Sequence, residues 1–208
     1  MPRARPGSSR ERAMTDATPT LPDLVARGAG PALGAPDRPD LSYADLAAVI
    51  AAAGAQLGGR GIRPGDAVAI VLPNGPEMAS AFLSVAAHAV AAPLNPAYTG
   101  DEFAFYMEDL SAKLLIVAEG VETPARAAAA RLGTPVVELR PGAAAGAFTL
   151  VEGGAELAAG EVRANGAGDV ALVLHTSGTT SRPKIVPLTT RNIVASADHI
   201  AATLHLTA

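Results

Sequence analysis

The sequence predicts an α/β protein with a mostly parallel sheet flanked by helices. Two observations lead to this prediction. Short apolar runs alternate with longer segments whose apolar residues recur at helical spacing, and glycine, proline or asparagine marks many of the boundaries between them. Alternation of this kind is typical of parallel sheets that carry helices on their faces. Because ligands of such sheets gather at the carboxyl ends of the strands, the pattern also predicts where a site would lie.

The predicted helices follow from apolar spacing and from capping residues. Residues 42–57 are alanine-rich, and Gly58-Gly59 is expected to end that helix. Asn74 is expected to cap a helix that runs to about Ala89, with Glu77 in its first turn. The other predicted helices are residues 100–110, residues 124–132 and, after a cap at Thr189, residues 191–206.

The predicted strands are short apolar runs bounded by turn residues. A turn at Pro64-Gly65-Asp66 precedes the first of them. The loop-like stretch 141–168 is rich in glycine and alanine and has room for one further short strand at 148–151. The predicted strands are residues 68–72, 92–94, 114–117, 136–139, 170–174 and 184–188.

Composition narrows the class of protein. The chain has 208 residues, about half of them apolar, which is enough for one large or two small domains. A net charge of −4 gives no basic face for nucleic acid. The absence of cysteine excludes disulfides and thiolate metal sites. The longest apolar stretch, residues 81–94, is too short and too interrupted to span a bilayer. These features predict a cytoplasmic protein without a transmembrane segment.

Residues 1–13 differ from the rest of the chain. They combine four arginines with proline, serine and glycine, and they contain almost no apolar residues. Such a segment cannot bury enough surface to become ordered, so residues 1–13 are predicted to be a disordered basic extension and residues 14–208 the folded domain. Met14 could be the true start of the protein, and a basic targeting arm is the alternative interpretation of the extension.

Residues 175–184 carry the clearest functional pattern. An apolar strand-like run leads into five hydroxyl side chains around one glycine, followed by Arg182, Pro183 and Lys184. Hydroxyl donors and positive charge together suit a polyphosphate, and glycine permits close backbone approach. Lys184 is one of only two lysines among 16 basic residues. The pattern predicts a nucleotide-phosphate loop; the alternative is an exposed Ser/Thr-rich turn between two strands. The predicted phosphate ligands are Thr176, Ser177, Gly178, Thr179, Thr180 and Lys184, with Ser181 and Arg182 as weaker candidates.

Two other loop chemistries do not fit this segment. A P-loop has glycine directly before Lys-Ser/Thr, whereas Pro183 and Ile185 flank Lys184. A nucleophile elbow has glycines on both sides of its serine, whereas Ser177 has a glycine only after it. Ser177 is therefore a poor candidate for a nucleophile, and no catalytic residue is predicted within the chain.

The remaining polar and aromatic residues favour structural roles. His88 lies in an apolar helix and is expected to be a packed core residue. His175 could either orient the loop by hydrogen bonding or simply pack in its strand. His199 and His205 are six residues apart, which is not a chelating spacing, so no metal site is predicted. The residues expected to be solvated helix charges are Glu102, Glu108 and Asp109. The tyrosines judged too dispersed to stack as a platform are Tyr43, Tyr98 and Tyr106.

The segment 176–184 resembles the phosphate-binding motif of AMP-forming acyl-CoA synthetases, the adenylate-forming superfamily. The resemblance continues in family order through four upstream segments and covers roughly residues 20–208. Most members have glycine at the positions of Ser181 and Ile185. The form Ser181-Arg-Pro-Lys184, with His175 before it, resembles the oxalate–CoA ligase-like branch and points to a small acid. The upstream segments are residues 41–46, 61–66, 71–77 and 92–98.

The resemblance implies a two-step reaction. A carboxylate attacks the α-phosphate of ATP to give an acyl-adenylate and pyrophosphate, and coenzyme A then displaces AMP. ATP, Mg²⁺ and coenzyme A are implied as cofactors or co-substrates, and a carboxylic acid, small or fatty, as the substrate. The loop would hold the β- and γ-phosphates and stabilise the charge of the departing pyrophosphate.

Family members place several essential parts downstream of this loop: the acyl and adenine pockets, a magnesium-binding glutamate and an adenylation lysine. The chain is therefore expected to be an incomplete N-terminal domain of an adenylate-forming enzyme, which binds ATP poorly and catalyses nothing measurable. The alternative is a non-catalytic truncated module that acts by nucleotide or protein binding, since an uncovered sheet edge and apolar surface favour association.

Overall fold

A computed structural model describes residues 19–176 and 184–206. The predicted extension at residues 1–13, the proposed start at Met14 and the loop positions 177–183 lie outside the described residues. The helices are α1 (Leu21–Val25), α2 (Tyr43–Gly59), α3 (Pro76–Ala86), α4 (Gly100–Asp109), α5 (Pro124–Leu132) and α6 (Thr190–Thr203). The strands are β1 (Pro31–Ala35), β2 (Arg38–Ser42), β3 (Ala67–Val71), β4 (Val90–Pro93), β5 (Leu114–Ala118), β6 (Val136–Pro141), β7 (Phe148–Glu152), β8 (Ala155–Glu156), β9 (Val170–Thr176) and β10 (Lys184–Thr189).

The main sheet has eight strands in the order β10-β9-β4-β3-β5-β6-β7-β8. Its central strands, from β9 to β6, pair in parallel. The outer pairs, β10 with β9 on one side and β6, β7 and β8 on the other, are antiparallel. The predicted mostly parallel sheet is therefore confirmed, and antiparallel strands close both of its edges.

Helices cover both faces of the sheet, as predicted. Alternate residues of β3 point to opposite faces. Ile70 packs in one cluster with Val85 of α3, and Val71 packs in the other with Phe103 and Met107 of α4. Because both faces are covered, all five residues of β3 are buried, and the strand has a continuous apolar sequence instead of an alternating one.

The boundaries of two predicted helices are corrected. The helix α2 has the cap Ser42 but continues through Gly59 instead of ending at Leu57. The cap of α3 is Gly75 and not Asn74, because Pro76 takes the first helical position, where its missing N–H would have no partner in any case.

Two helix ends also come earlier than predicted. The helix α3 ends at Ala86 because the chain must turn before β4 begins at Val90. The helix α6 has the predicted cap Thr189 but ends at Thr203. Within the described residues, no helix is long and apolar enough to cross a membrane.

Sequence patterns missed the first helix and the hairpin after it. The helix α1 is only five residues long, which is too short to show a period, although Thr20 and Asp23 form a complete capping box. The hairpin of β1 and β2 contains proline, glycine and aspartate, which are poor strand formers. Contacts distant in sequence stabilise it: Arg38 donates hydrogen bonds to the carbonyl oxygens of Gly142 and Ala144.

Candidate nucleotide-phosphate site

The strand β9 brings the start of the predicted loop to the carboxyl edge of the parallel strands. It pairs in parallel with β4, which pairs in parallel with β3. Thr176, the last residue of β9, therefore lies at the same edge as the ends of β3, β4 and β5. Ligands of open α/β sheets bind at this edge.

The two ends of the predicted loop face each other directly. Strands β9 and β10 are antiparallel, and Thr176 is the cross-strand partner of Lys184. Both residues are exposed at the surface. A seven-residue connection, residues 177–183, joins them. Thr176 and Lys184 thus lie side by side on neighbouring strands, one at each end of the predicted loop. The intervening candidates, which the structure does not describe, are Ser177, Gly178, Thr179, Thr180 and Ser181.

His175 connects the end of β9 to helix α4. Its Nε2 lies 3.2 Å from Oδ2 of Asp109, the last residue of α4. Its ring packs edge-on against Tyr106, with centroids 4.6 Å apart. The His175 side chain is only 7% exposed. Asp109, expected to be a solvated charge, is exposed and also pairs with a histidine that lies 66 positions away in sequence.

Tyr98 and Tyr106 stack on each other, a contact that the sequence analysis did not predict. Their ring centroids are 4.9 Å apart with an interplanar angle of 21°. Phe103 meets Tyr98 edge-on at 5.8 Å. Burial raises the pKa of the Tyr98 phenol above its ordinary value. The contact between the two rings was not predicted because it depends on how the chain folds back between Tyr98 and α4, which brings residues eight positions apart together.

The other histidines do not form a metal site in the described part of the chain. His88 is buried, and its Nδ1 lies 2.9 Å from the carbonyl oxygen of Ser84, as expected for a core residue. His199 is exposed on α6. Across residues 19–176 and 184–206, no group of three or more His, Asp or Glu side chains comes together as metal ligands would.

A cavity of about 390 Å³ opens at the same sheet edge, near the ends of β3, β5 and β6. Arg38 and Glu77 form an ion pair of 2.6 Å on its wall. Burial alone would raise the pKa of Glu77, but hydrogen bonds from Arg38 and from the Gly146 amide hold it below its ordinary value. Glu119, also on the wall, pairs with Arg140. Because these charges already have partners, the cavity adds no free charged group to the site.

Comparison with known proteins reveals several relatives. The chain is 40% identical over 181 residues to an oxalate–CoA ligase of Arabidopsis thaliana, covering 81% of this chain and 34% of that protein. It is 43% identical over 172 residues to the probable CoA ligase CCL9 of Humulus lupulus, covering 80% of this chain and 32% of that protein. The chain thus spans about a third of the length of these curated relatives.

A solved structure shares the fold. The O-succinylbenzoate coenzyme A synthetase MenE of Bacillus subtilis, in complex with AMP, matches with a TM-score of 0.72 and 25% identity over 91% of this chain and 47% of that one. The family model described as AMP-binding enzyme matches residues 22–207. That match takes in nearly all described residues, including both ends of the candidate site. The chain therefore belongs to the AMP-binding enzyme family.

Proposed function

We propose that this chain contributes the ATP-phosphate site of an AMP-forming acid–CoA ligase. One observation carries the proposal: in a member of the AMP-binding enzyme family, Thr176 and Lys184 face each other at the carboxyl edge of the parallel strands. In the reaction, a carboxylate attacks the α-phosphate of ATP, the bond to pyrophosphate breaks, and the thiol of coenzyme A then displaces AMP from the acyl-adenylate. The named activities of the CoA-ligase relatives support this reaction class.

The side chains of the loop would bind the β- and γ-phosphates. Hydroxyl groups donate hydrogen bonds to phosphate oxygens, and the Gly178 amide can approach without a side chain in the way. The ammonium of Lys184 neutralises charge that grows on pyrophosphate as it leaves, which stabilises the transition state. Pairing of β9 with β10 fixes both ends of the loop in advance and lowers the entropy lost on binding. The hydroxyl donors proposed are Thr176, Ser177, Thr179, Thr180 and Ser181.

The proposed substrate is a small carboxylic acid, with oxalate as the first to test. The oxalate–CoA ligase relative supports this choice, as does the form of residues 181–184. We further propose that residues 14–208 are part of an adenylation domain, preceded by a disordered extension at 1–13. The described residues contain no cluster of Mg²⁺ ligands, so no Mg²⁺ ligand is assigned among them.

Replacing Lys184 tests the proposed phosphate site. The chain offers one matched control, because its only other lysine, Lys113, is also exposed but precedes β5 at the opposite edge of the sheet. Titration with tripolyphosphate, followed by amide chemical shifts, measures binding even when it is weak. A hydrogen bond to a charged group contributes about 1.5–3 kcal/mol, so Lys184→Ala should weaken binding about 10- to 100-fold and Lys113→Ala less than about twofold. Equal affinity of the two variants would refute the site.

ATP–pyrophosphate exchange tests the proposed reaction. The isolated chain should show no exchange above background with oxalate and ATP, because the proposed domain is partial. Protein expressed from the complete reading frame should show oxalate-dependent exchange that Lys184→Ala abolishes and Lys113→Ala preserves. Robust exchange by the isolated chain would contradict the proposal that it is incomplete, and exchange unaffected by Lys184→Ala would contradict the role of the loop.

Exposed apolar side chains favour a second candidate function, protein binding through association with a second copy of this chain. Ile200 is 53% exposed, Leu204 62% and Leu206 63%, all on or just after α6. Exposed apolar residues that lie close together mark interaction surfaces. Sedimentation velocity of the chain and of Leu204→Glu tests this candidate. Concentration-dependent association that Leu204→Glu suppresses would support it, and a monomer at every concentration would refute self-association.

A further inference from the structure

Helix α4 is a rigid support for the end of β9. Its first turn is closed by a capping box of Thr99 and Glu102. Its buried side, with Phe103 and Met107 at most 1% exposed, packs against the sheet. Its other end brings Asp109 to the side chain of His175. The helix therefore has little freedom to move relative to the strands.

The end of β9 has little other side-chain support. Leu174 is 42% exposed, and Thr176 is exposed as well. The side chain of His175 is the buried one in this last stretch of the strand. It contacts α4 through a hydrogen bond to Asp109 and a ring contact with Tyr106. The residue that makes these two contacts directly precedes the first proposed phosphate ligand.

We propose that His175 is a positioning residue that anchors the end of β9 to α4 through Asp109 and Tyr106, and so holds Thr176 in place for phosphate. This inference rests on the proposed function of the loop. Because a carboxylate only accepts hydrogen bonds, Nε2 of His175 carries the proton that it donates to Asp109. The edge-on contact with Tyr106 restrains rotation of the same ring. One side chain thus restrains both the position and the direction of the strand end.

Hydrogen exchange tests the anchor without any ligand. In Asp109→Ala, amides at residues 174–176 should exchange about two to ten times faster, as expected for loss of one hydrogen bond. Amides of β3 should not change. Glu108→Ala is the matched control, since Glu108 is the exposed neighbour of Asp109 on α4. Unchanged exchange at 174–176 would overturn the proposal, and so would faster exchange throughout the sheet, which indicates general destabilisation.

Tripolyphosphate affinity tests the purpose of the anchor. His175→Ala and Asp109→Ala should each weaken binding about two- to tenfold, and the double variant should be no worse than His175→Ala alone, because that change already removes the contact with Asp109. His175→Gln, which can still donate to Asp109, should recover part of the affinity only while Asp109 is present. Faster hydrogen exchange at residues 174–176 with unchanged affinity for tripolyphosphate would overturn the positioning role of His175.

The outcomes separate this inference from the function on which it rests. If the unchanged chain bound tripolyphosphate no better than Lys184→Ala does, the phosphate site itself would be refuted. The hydrogen-exchange result would still decide whether His175 anchors the end of β9. If Lys184→Ala weakened binding while changes at His175 and Asp109 did not, the phosphate site would stand and the positioning role would fall.

Discussion

Neutralising Glu77 should destabilise the fold at neutral pH. Its carboxylate ion-pairs with Arg38 at 2.6 Å and accepts a hydrogen bond from the Gly146 amide. The side chains of Glu77 and Arg38 are only 20% and 29% exposed, so water screens the pair incompletely. Hydrogen bonds to charged groups contribute about 1.5–3 kcal/mol. Glu77→Gln keeps the shape of the side chain but removes its charge. We therefore expect a loss of about 1–2 kcal/mol at pH 7.

The loss should depend on pH in a defined direction. Because the folded-state pKa of Glu77 lies below its ordinary value of 4.5, its charge stabilises the fold fully above that value. This contribution disappears as the pH falls through the lower folded-state pKa, where the carboxyl becomes protonated. The difference in stability between the wild-type chain and Glu77→Gln should therefore shrink on acidification.

Urea unfolding followed by circular dichroism measures the loss of stability at neutral pH and its decrease on acidification. In a thermal melt at neutral pH, each kcal/mol of lost stability should lower the melting temperature by about 2–4 °C for a chain of this size. Glu161→Gln is the matched control, since Glu161 forms an ion pair with Arg163 that is largely exposed and should contribute less than about 1 kcal/mol. Equal stability of Glu77→Gln and Glu161→Gln at pH 7, or a difference that grows on acidification, would refute the reasoning.

Two further stability predictions follow from local geometry. A Gly→Ala change stabilises most helices by about 0.5–1 kcal/mol. Gly54→Ala should instead destabilise by about 1–3 kcal/mol, because the new Cβ would lie 2.4 Å from the buried ring of His88. Thermal melting should show that the same change stabilises a His88→Ala variant, and a stabilised single variant would disprove the clash. Thr99→Ala should lower the free energy of unfolding in urea by about 1 kcal/mol, because it removes the cap of α4. Thr203→Ala, at the exposed end of α6, is the control and should change that free energy little. Equal effects of the two changes would argue against the cap.

Local sequence patterns were sufficient for most individual elements. The helix α5 begins and ends as predicted, because proline opens it and Gly133, at a positive φ of 68°, ends it. Strands β3 and β5 were recognised because burial on both faces makes them continuous apolar runs. Short or irregular pieces such as α1 and the β1–β2 hairpin were missed, since long-range contacts of Arg38 compensate for weak local preferences.

For the candidate site, the sequence by itself determined the chemistry: hydroxyls, one glycine and a rare lysine in a chain of the AMP-binding enzyme family. Only the tertiary structure decided what the two ends of this segment contact. It placed Thr176 opposite Lys184 and joined His175 to Asp109, 66 positions away. The physical reason is that local patterns reflect backbone preference and burial, whereas strand order and distant side-chain pairs depend on how whole elements pack together.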